Sequence, residues 1–195
     1  VPASVATRKR SVLLMWRLAQ REDFKMQKMK WNTEAIVLLG VLISTEVVLS
    51  RFFSISAWNI KIGFSFLPVV VAALLLGPLQ AGIVAALGDL IGALLFPIGA
   101  YFPGFTLTAF LTGIVFGLFL HKSQSMTRVI GAVAVNQLVL SLLLNTLWIS
   151  VMYHSPFSAL LVVRIVQCAI LIPIQLIMIR LMSKALNHDW KKAIV

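Results

Sequence analysis

The sequence is poor in charge and poorer still in acids. Only 12% of its 195 residues are Asp, Glu, Lys or Arg, and Asp plus Glu number 6 against 17 Lys plus Arg. A soluble globular domain carries roughly 25% charged residues, so this chain is not one. Disorder is excluded by the opposite count: 60% of the residues are hydrophobic, whereas a disordered chain combines low hydrophobicity with high net charge. One cysteine, Cys168, sits inside an apolar run. A disulfide framework is therefore impossible, and no thiolate metal site is implied. There is no G-x-x-x-x-G-K-[ST] phosphate loop, so ATP hydrolysis is not expected of this chain. H-E-x-x-H and G-x-S-x-G are also missing, and His121, His154 and His188 are scattered. These gaps remove the zinc-protease and serine-hydrolase readings. Asp89 is the single aspartate at mid-membrane position, which argues against a two-aspartate intramembrane protease. No inverted repeat marks a self-contained secondary carrier. Neither an enzyme nor a cofactor or metal site is expected.

What is present is apolar and long. Runs at 33–53, 60–77, 79–96, 104–121, 126–152 and 157–184 predict six spanning helices, given that a span needs about 20 residues. The predicted fold class is all-α: a polytopic bundle of six transmembrane helices in a lipid bilayer. Gly77-Pro78 separates the second run from the third, because proline cannot continue a helix interior. Phe96 to Gly104 reads as an aromatic loop stiffened by Pro97 and Pro103, and His154-Ser155-Pro156 divides the last two runs. Three regions follow: a basic leader at 1–30, the membrane domain at 31–186, and a tail at 187–195. The leader is expected to be artefactual or disordered; the alternative is a membrane-surface helix carrying Leu13, Leu14, Trp16 and Leu18.

A net charge of +11 would suggest nucleic acid in a soluble protein. Here the basic residues sit at the ends and between the runs, so they act as topology signals and no nucleic-acid partner is expected. Fourteen of the 17 lie in the leader, at Lys122 and Arg128, or at Arg180, Lys184, Lys191 and Lys192. All fall on one side if both termini are cytoplasmic, leaving Arg51 and Lys61 outside and Arg164 within the sixth run.

Polar residues inside the spans are the functional candidates, because each needs a partner or a cavity. Arg164 lies seven residues into the sixth run, roughly 10 Å deep. Asn145 lies seven residues inward from Met152, at about the same depth. Trp148 is one turn above Asn145, and Gln167 lies one turn below Arg164. These four can form a polar pocket with an aromatic wall, open to the outside. Asn136, Gln137 and Gln175 are expected to make interhelical hydrogen bonds instead. Asp89 and Glu46 read as proton or ion sites or, more simply, as charge partners of Arg164 or Arg51. Gly40 and Ser44 have the small-xxx-small spacing that lets helices approach closely, and Gly88-Gly92 and Gly113-Gly117 repeat it.

Four strings add a family resemblance. They are Val48-Leu49-Ser50-Arg51-Phe52-Phe53-Ser54-Ile55, Phe64-Ser65-Phe66-Leu67-Pro68, the stretch Gly82 to Ala93 (GIVAALGDLIGA), and the stretch Phe96 to Leu107 (FPIGAYFPGFTL). In this order and spacing, over about residues 31–186, the chain resembles the folate-specific substrate-binding (S) components of energy-coupling factor (ECF) transporters. The resemblance implies six helices, an external vitamin pocket, and assembly in a bacterial cell membrane with a transmembrane coupling subunit and two cytoplasmic ATPases. It also implies that Gly40 and Ser44, in place of the family's two alanines, face the coupling subunit. Folate would then be the ligand. Tyr101, Phe102, Phe105 and Trp148 are available to stack on its pterin. Asn145, Gln167 or Asp89 can read the pterin edge, and Arg51, Lys61 and Arg164 are the cations for its glutamate. An S component for another vitamin, or a membrane assembly protein without a ligand, are the alternatives.

Overall fold

A computed structural model describes residues 33–57, 60–97, 99–154 and 157–188. The side chains of 55–62, 157–159 and 187–188 lie outside that description, as do the leader 1–30 and the tail beyond His188. Two units are distinguished, 1–35 and 36–195. Of the first, only Thr33, Glu34 and Ala35 are described, as the opening turn of a helix.

The described chain is a helical membrane protein. Helix α1 spans Thr33–Arg51, α2 Phe66–Leu75, α3 Pro78–Leu95 and α4 Pro103–Leu120. A 28-residue helical stretch, Met126–Tyr153, comprises α5 (Met126–Ala134), a π-helical segment (Val135–Leu144) and α6 (Asn145–Tyr153). Helix α7 runs Phe157–His188 with Pro173 inside it. Five of these stretches are long and apolar enough to cross a membrane: α1, α3, α4, Met126–Tyr153 and, within α7, Leu160–Leu186.

The exception is α2. The run at 60–77 is not one helix. Its front half pairs as strand β2 (Ile60–Gly63) with β1 (Ser54–Ala57), antiparallel, Ser54 opposite Gly63 and Ala57 opposite Ile60. Alternating Ile55, Ile60 and Ile62 suit a strand, and Gly63-Phe64-Ser65 interrupts before the helix begins. The ten residues of α2 rise only about 15 Å, half the hydrocarbon thickness of about 30 Å.

Glycine and proline set the other boundaries. Gly77 takes φ 108°, ψ −176°, a conformation that needs a residue without Cβ, and Pro78 opens α3. Pro103 opens α4, where its missing N–H costs nothing. His154 ends α6 in the left-handed region at φ 51°.

The bundle has two unlike ends. At one end lie the turns at 76–77 and 121–125, and there the interior is dry. Val70, Ala72, Ala73, Ala81, Val84, Phe116, Leu120, Val129, Ala132 and Ile179 are fully buried. Gly113 and Gly117 of α4 make this packing possible: a Cβ at Gly113 would overlap the Ala81 carbonyl, and one at Gly117 would overlap Pro78 Cα. Two backbones touch there. The outward surface carries large apolar side chains, among them Val41, Leu107, Leu118, Val162 and Ile177, as a lipid-facing surface requires. At the other end, beneath the hairpin and the aromatic loop, the helices part around a cavity.

Candidate binding site

All the helices except α5 contribute side chains to this cavity of about 550 Å³. From α7 come Arg164, Gln167, Leu171 and Gln175, eleven residues and so about 16 Å of rise along one face. The π segment and α6 supply Ser141, Asn145, Ile149, Met152 and Tyr153. From α4 come Phe105, Thr108, Ala109 and Thr112, and from α3 Ala85, Asp89 and Ala93. Helix α1 adds Glu46 and Arg51, while Phe66 and Val69 close the wall from α2. Pro97, Gly99, Ala100, Tyr101 and Phe102 of the aromatic loop lie at the mouth. Both tyrosines of the chain, Tyr101 and Tyr153, are lining residues.

Hydrogen bonds fix this wall. Thr106 Oγ1 donates to Asp89 Oδ2 at 2.8 Å. The Tyr101 hydroxyl lies 3.3 Å from the same Thr106 oxygen, so the phenol is left as the donor of that pair. Thus a hydroxyl, and not the arginine expected from sequence, partners Asp89 among the described residues. A second relay holds the start of α4: Trp148 Nε1 donates to Thr108 Oγ1 at 3.0 Å, and Thr108 donates to the Gly104 carbonyl at 2.9 Å. On α7, Arg164 Nη1 donates to the Ser141 carbonyl at 3.0 Å, and one turn on, Cys168 Sγ donates to the Gln137 carbonyl at 3.4 Å. Both acceptors belong to the π segment, which is thereby held to α7 at two points. Such segments concentrate at functional sites.

Some polar atoms are left over. Asn145 Oδ1, Gln175 Oε1 and Arg51 Nε are buried and have no hydrogen-bond partner among the described residues. A buried polar atom left unsatisfied costs about 1–3 kcal/mol, so a ligand or water that supplies partners is favoured here. Two arginines, two carboxylates, two amides on α7, an amide on α6 and five aromatic rings surround one space. That set can hold a flat heteroaromatic ring by its faces and edge, and an acidic group by charge. Among the described residues no three of His, Cys, Asp and Glu gather to hold a metal ion.

Comparison with known proteins gives this geometry its context. Residues 34–182 match the family model of the ECF transporter substrate-specific component. The chain belongs to that family. It is 41% identical over 149 residues to the folate transporter FolT of Clostridium novyi, covering 76% of this chain and 87% of the relative. The corresponding protein of Leuconostoc mesenteroides is 33% identical over 172 residues, 84% and 92% of the two chains. A crystal structure of FolT bound with folic acid superposes with a TM-score of 0.75 at 39% identity, over 79% of this chain and 95% of that one.

In this S component, eight of the ten ligand-site residues expected from sequence meet in one cavity: Arg51, Asp89, Tyr101, Phe102, Phe105, Asn145, Arg164 and Gln167. Trp148 is not a lining residue. Its ring packs behind the wall, 5.5 Å from Phe102 and against Gly104, where a Cβ would be 2.7 Å from Trp148 Cδ2. It supports Phe102 and Gly104 from behind. The side chain of Lys61 lies outside the described residues; its backbone sits in β2 opposite Ser56. Gln175 is a correction: no interhelical hydrogen bond takes its Oε1, and it faces the cavity. Asn136 and Gln137 are buried off the cavity, and neither Asn136 side-chain atom nor Gln137 Oε1 finds the interhelical partner expected of it. Sequence reasoning also missed Glu46, Ser141 and Tyr153 as lining residues. Glu46 shares a cavity with Asp89, and that proximity depends on the register between α1 and α3.

Proposed function

We propose that this chain is the folate-capturing subunit of a bacterial ECF-type vitamin uptake transporter. The observation that carries the reading is the cavity itself, in a chain 39% identical to a FolT whose crystal structure holds folic acid. Its length of about 16 Å along α7 suits an extended molecule with a ring at one end and an acid at the other. The pterin edge is met by Asn145, Gln167, Gln175 and Asp89 and its face by Phe102 and Phe105. The glutamate points to the mouth, where Arg51 stands. Arg164 is at mid-depth, tied to Ser141. Folate is thus a ligand carried through the site, and no cofactor takes part.

Membership of the family supports the following reading of the rest of the assembly. A transmembrane coupling subunit and two cytoplasmic ATPases supply the energy, and both termini of this chain face the cytoplasm of a plasma membrane. Gly40 and Ser44 form the docking face for the coupling subunit. They lie exposed on α1, a Cβ at Gly40 would meet nothing within 4 Å, and the Ser44 hydroxyl is folded back onto the Gly40 carbonyl at 2.9 Å. The division of labour is tested in proteoliposomes. The chain alone, with ATP inside, is expected to bind folate without accumulating it, and to accumulate it once the coupling subunit and ATPases are added. Uptake against a gradient by the chain alone would contradict the proposal.

A further inference from the structure

Gly88 and Gly92 stand one turn apart on α3, facing α1. What lies opposite them is not backbone. A Cβ built at Gly92 would be 2.7 Å from Arg51 Nε, 3.2 Å from Nη2 and 3.3 Å from Cζ. One built at Gly88 would overlap Glu46 Oε2. Two charged side chains of α1 therefore lie on the bare main chain of α3, at two consecutive turns. Both also line the cavity. The Arg51 guanidinium has its Nε buried and without a hydrogen-bond partner among the described residues, so the plane of the group is pressed into this seat. A guanidinium held this way offers a pre-set edge to a carboxylate, and two-point recognition of a carboxylate depends on that orientation.

We propose that Gly92 is a positioning residue of the ligand site: it seats the Arg51 guanidinium against α3 so that its free edge meets the carboxylate end of the ligand. Gly88 seats Glu46 in the same way one turn deeper. The inference rests on reading the cavity as a folate site and adds to it the residue that orients the carboxylate-binding cation.

The seat can be filled without breaking the helix pair, because what a methyl group at Gly92 meets is the tip of a flexible side chain. Gly92→Ala is expected to fold with an unchanged melting temperature. It should weaken folate binding about tenfold, a partial loss of a charge-assisted contact. Binding of pteroate, which is folate without its glutamate, should stay within about twofold of the parent protein. The decisive arm is a double-mutant cycle: in an Arg51→Met background, Gly92→Ala should have no further effect on folate. The inference is overturned if Gly92→Ala weakens folate and pteroate alike, if its effect persists in the Arg51→Met background, or if either single variant leaves folate affinity unchanged. Failure of the parent protein to bind folate in the same titrations would overturn the folate reading itself, and this inference with it.

Discussion

Two glycine pairs with identical spacing do different work in this molecule. Gly113 and Gly117 of α4 meet the main chain of α3 at Ala81 and Pro78, whereas Gly88 and Gly92 of α3 meet the side-chain tips of Glu46 and Arg51. The first pair closes the dry end of the bundle; the second opens room for charge at the cavity. A third small pair, Gly40 and Ser44, sits on an exposed face. The difference teaches that small-xxx-small spacing reports only that something comes close. Whether that something is backbone, a charged side chain or nothing within this chain depends on what the neighbouring helix places opposite.

Substitutions can break this comparison at each point. The largest effect belongs to the backbone contact. Gly117→Leu has no flexible neighbour to displace, so α3 and α4 must separate. Overpacking of this kind costs about 1–3 kcal/mol or more, and a thermal melt in detergent should show a clear fall or no folded protein at all. An unchanged melt would mean that the two backbones are not in contact. Next comes the cavity. Arg164→Ala is expected to weaken folate binding by about 1.5–3 kcal/mol, roughly 10- to 150-fold. Arg180→Ala should have no effect, because Arg180 is exposed and donates to the Gln124 carbonyl at the far end of the bundle. Equal affinities for both folded variants would remove Arg164 from the site. The smallest effect on binding is expected on the open face. Gly40→Leu with Ser44→Leu should leave folate affinity nearly unchanged, yet prevent co-purification with the coupling subunit and abolish ATP-driven uptake. Lost binding with intact assembly would reverse the assignment.

How far these roles were legible in the sequence differs by feature. Helix ends written by proline, glycine or a polar break, such as Gly77-Pro78, Pro103 and His154, were readable to within a residue or two, because those residues limit backbone conformation directly. That Arg164 and Asn145 line one cavity was readable too, since a helix rises by a constant 1.5 Å per residue. The hairpin was not: Ile60-Lys61-Ile62 runs on toward the helix after it with no proline between, and a stretch this short does not separate strand from helix by its pattern alone. Nor was the π segment, whose wider winding has no residue signature in Val135–Leu144. Faces were the hardest. Gln175 turned out to line the cavity and Trp148 to stand behind it, and both results depend on how a second helix is rotated.

The central claim is that this cavity takes folate. Isothermal titration of the detergent-solubilised, folded chain against folate, thiamin, riboflavin and biotin tests it most directly. Saturable one-to-one binding of folate and no measurable heat with the other three are expected. A folded chain that binds none of them, or binds one of the others more tightly than folate, would contradict that claim.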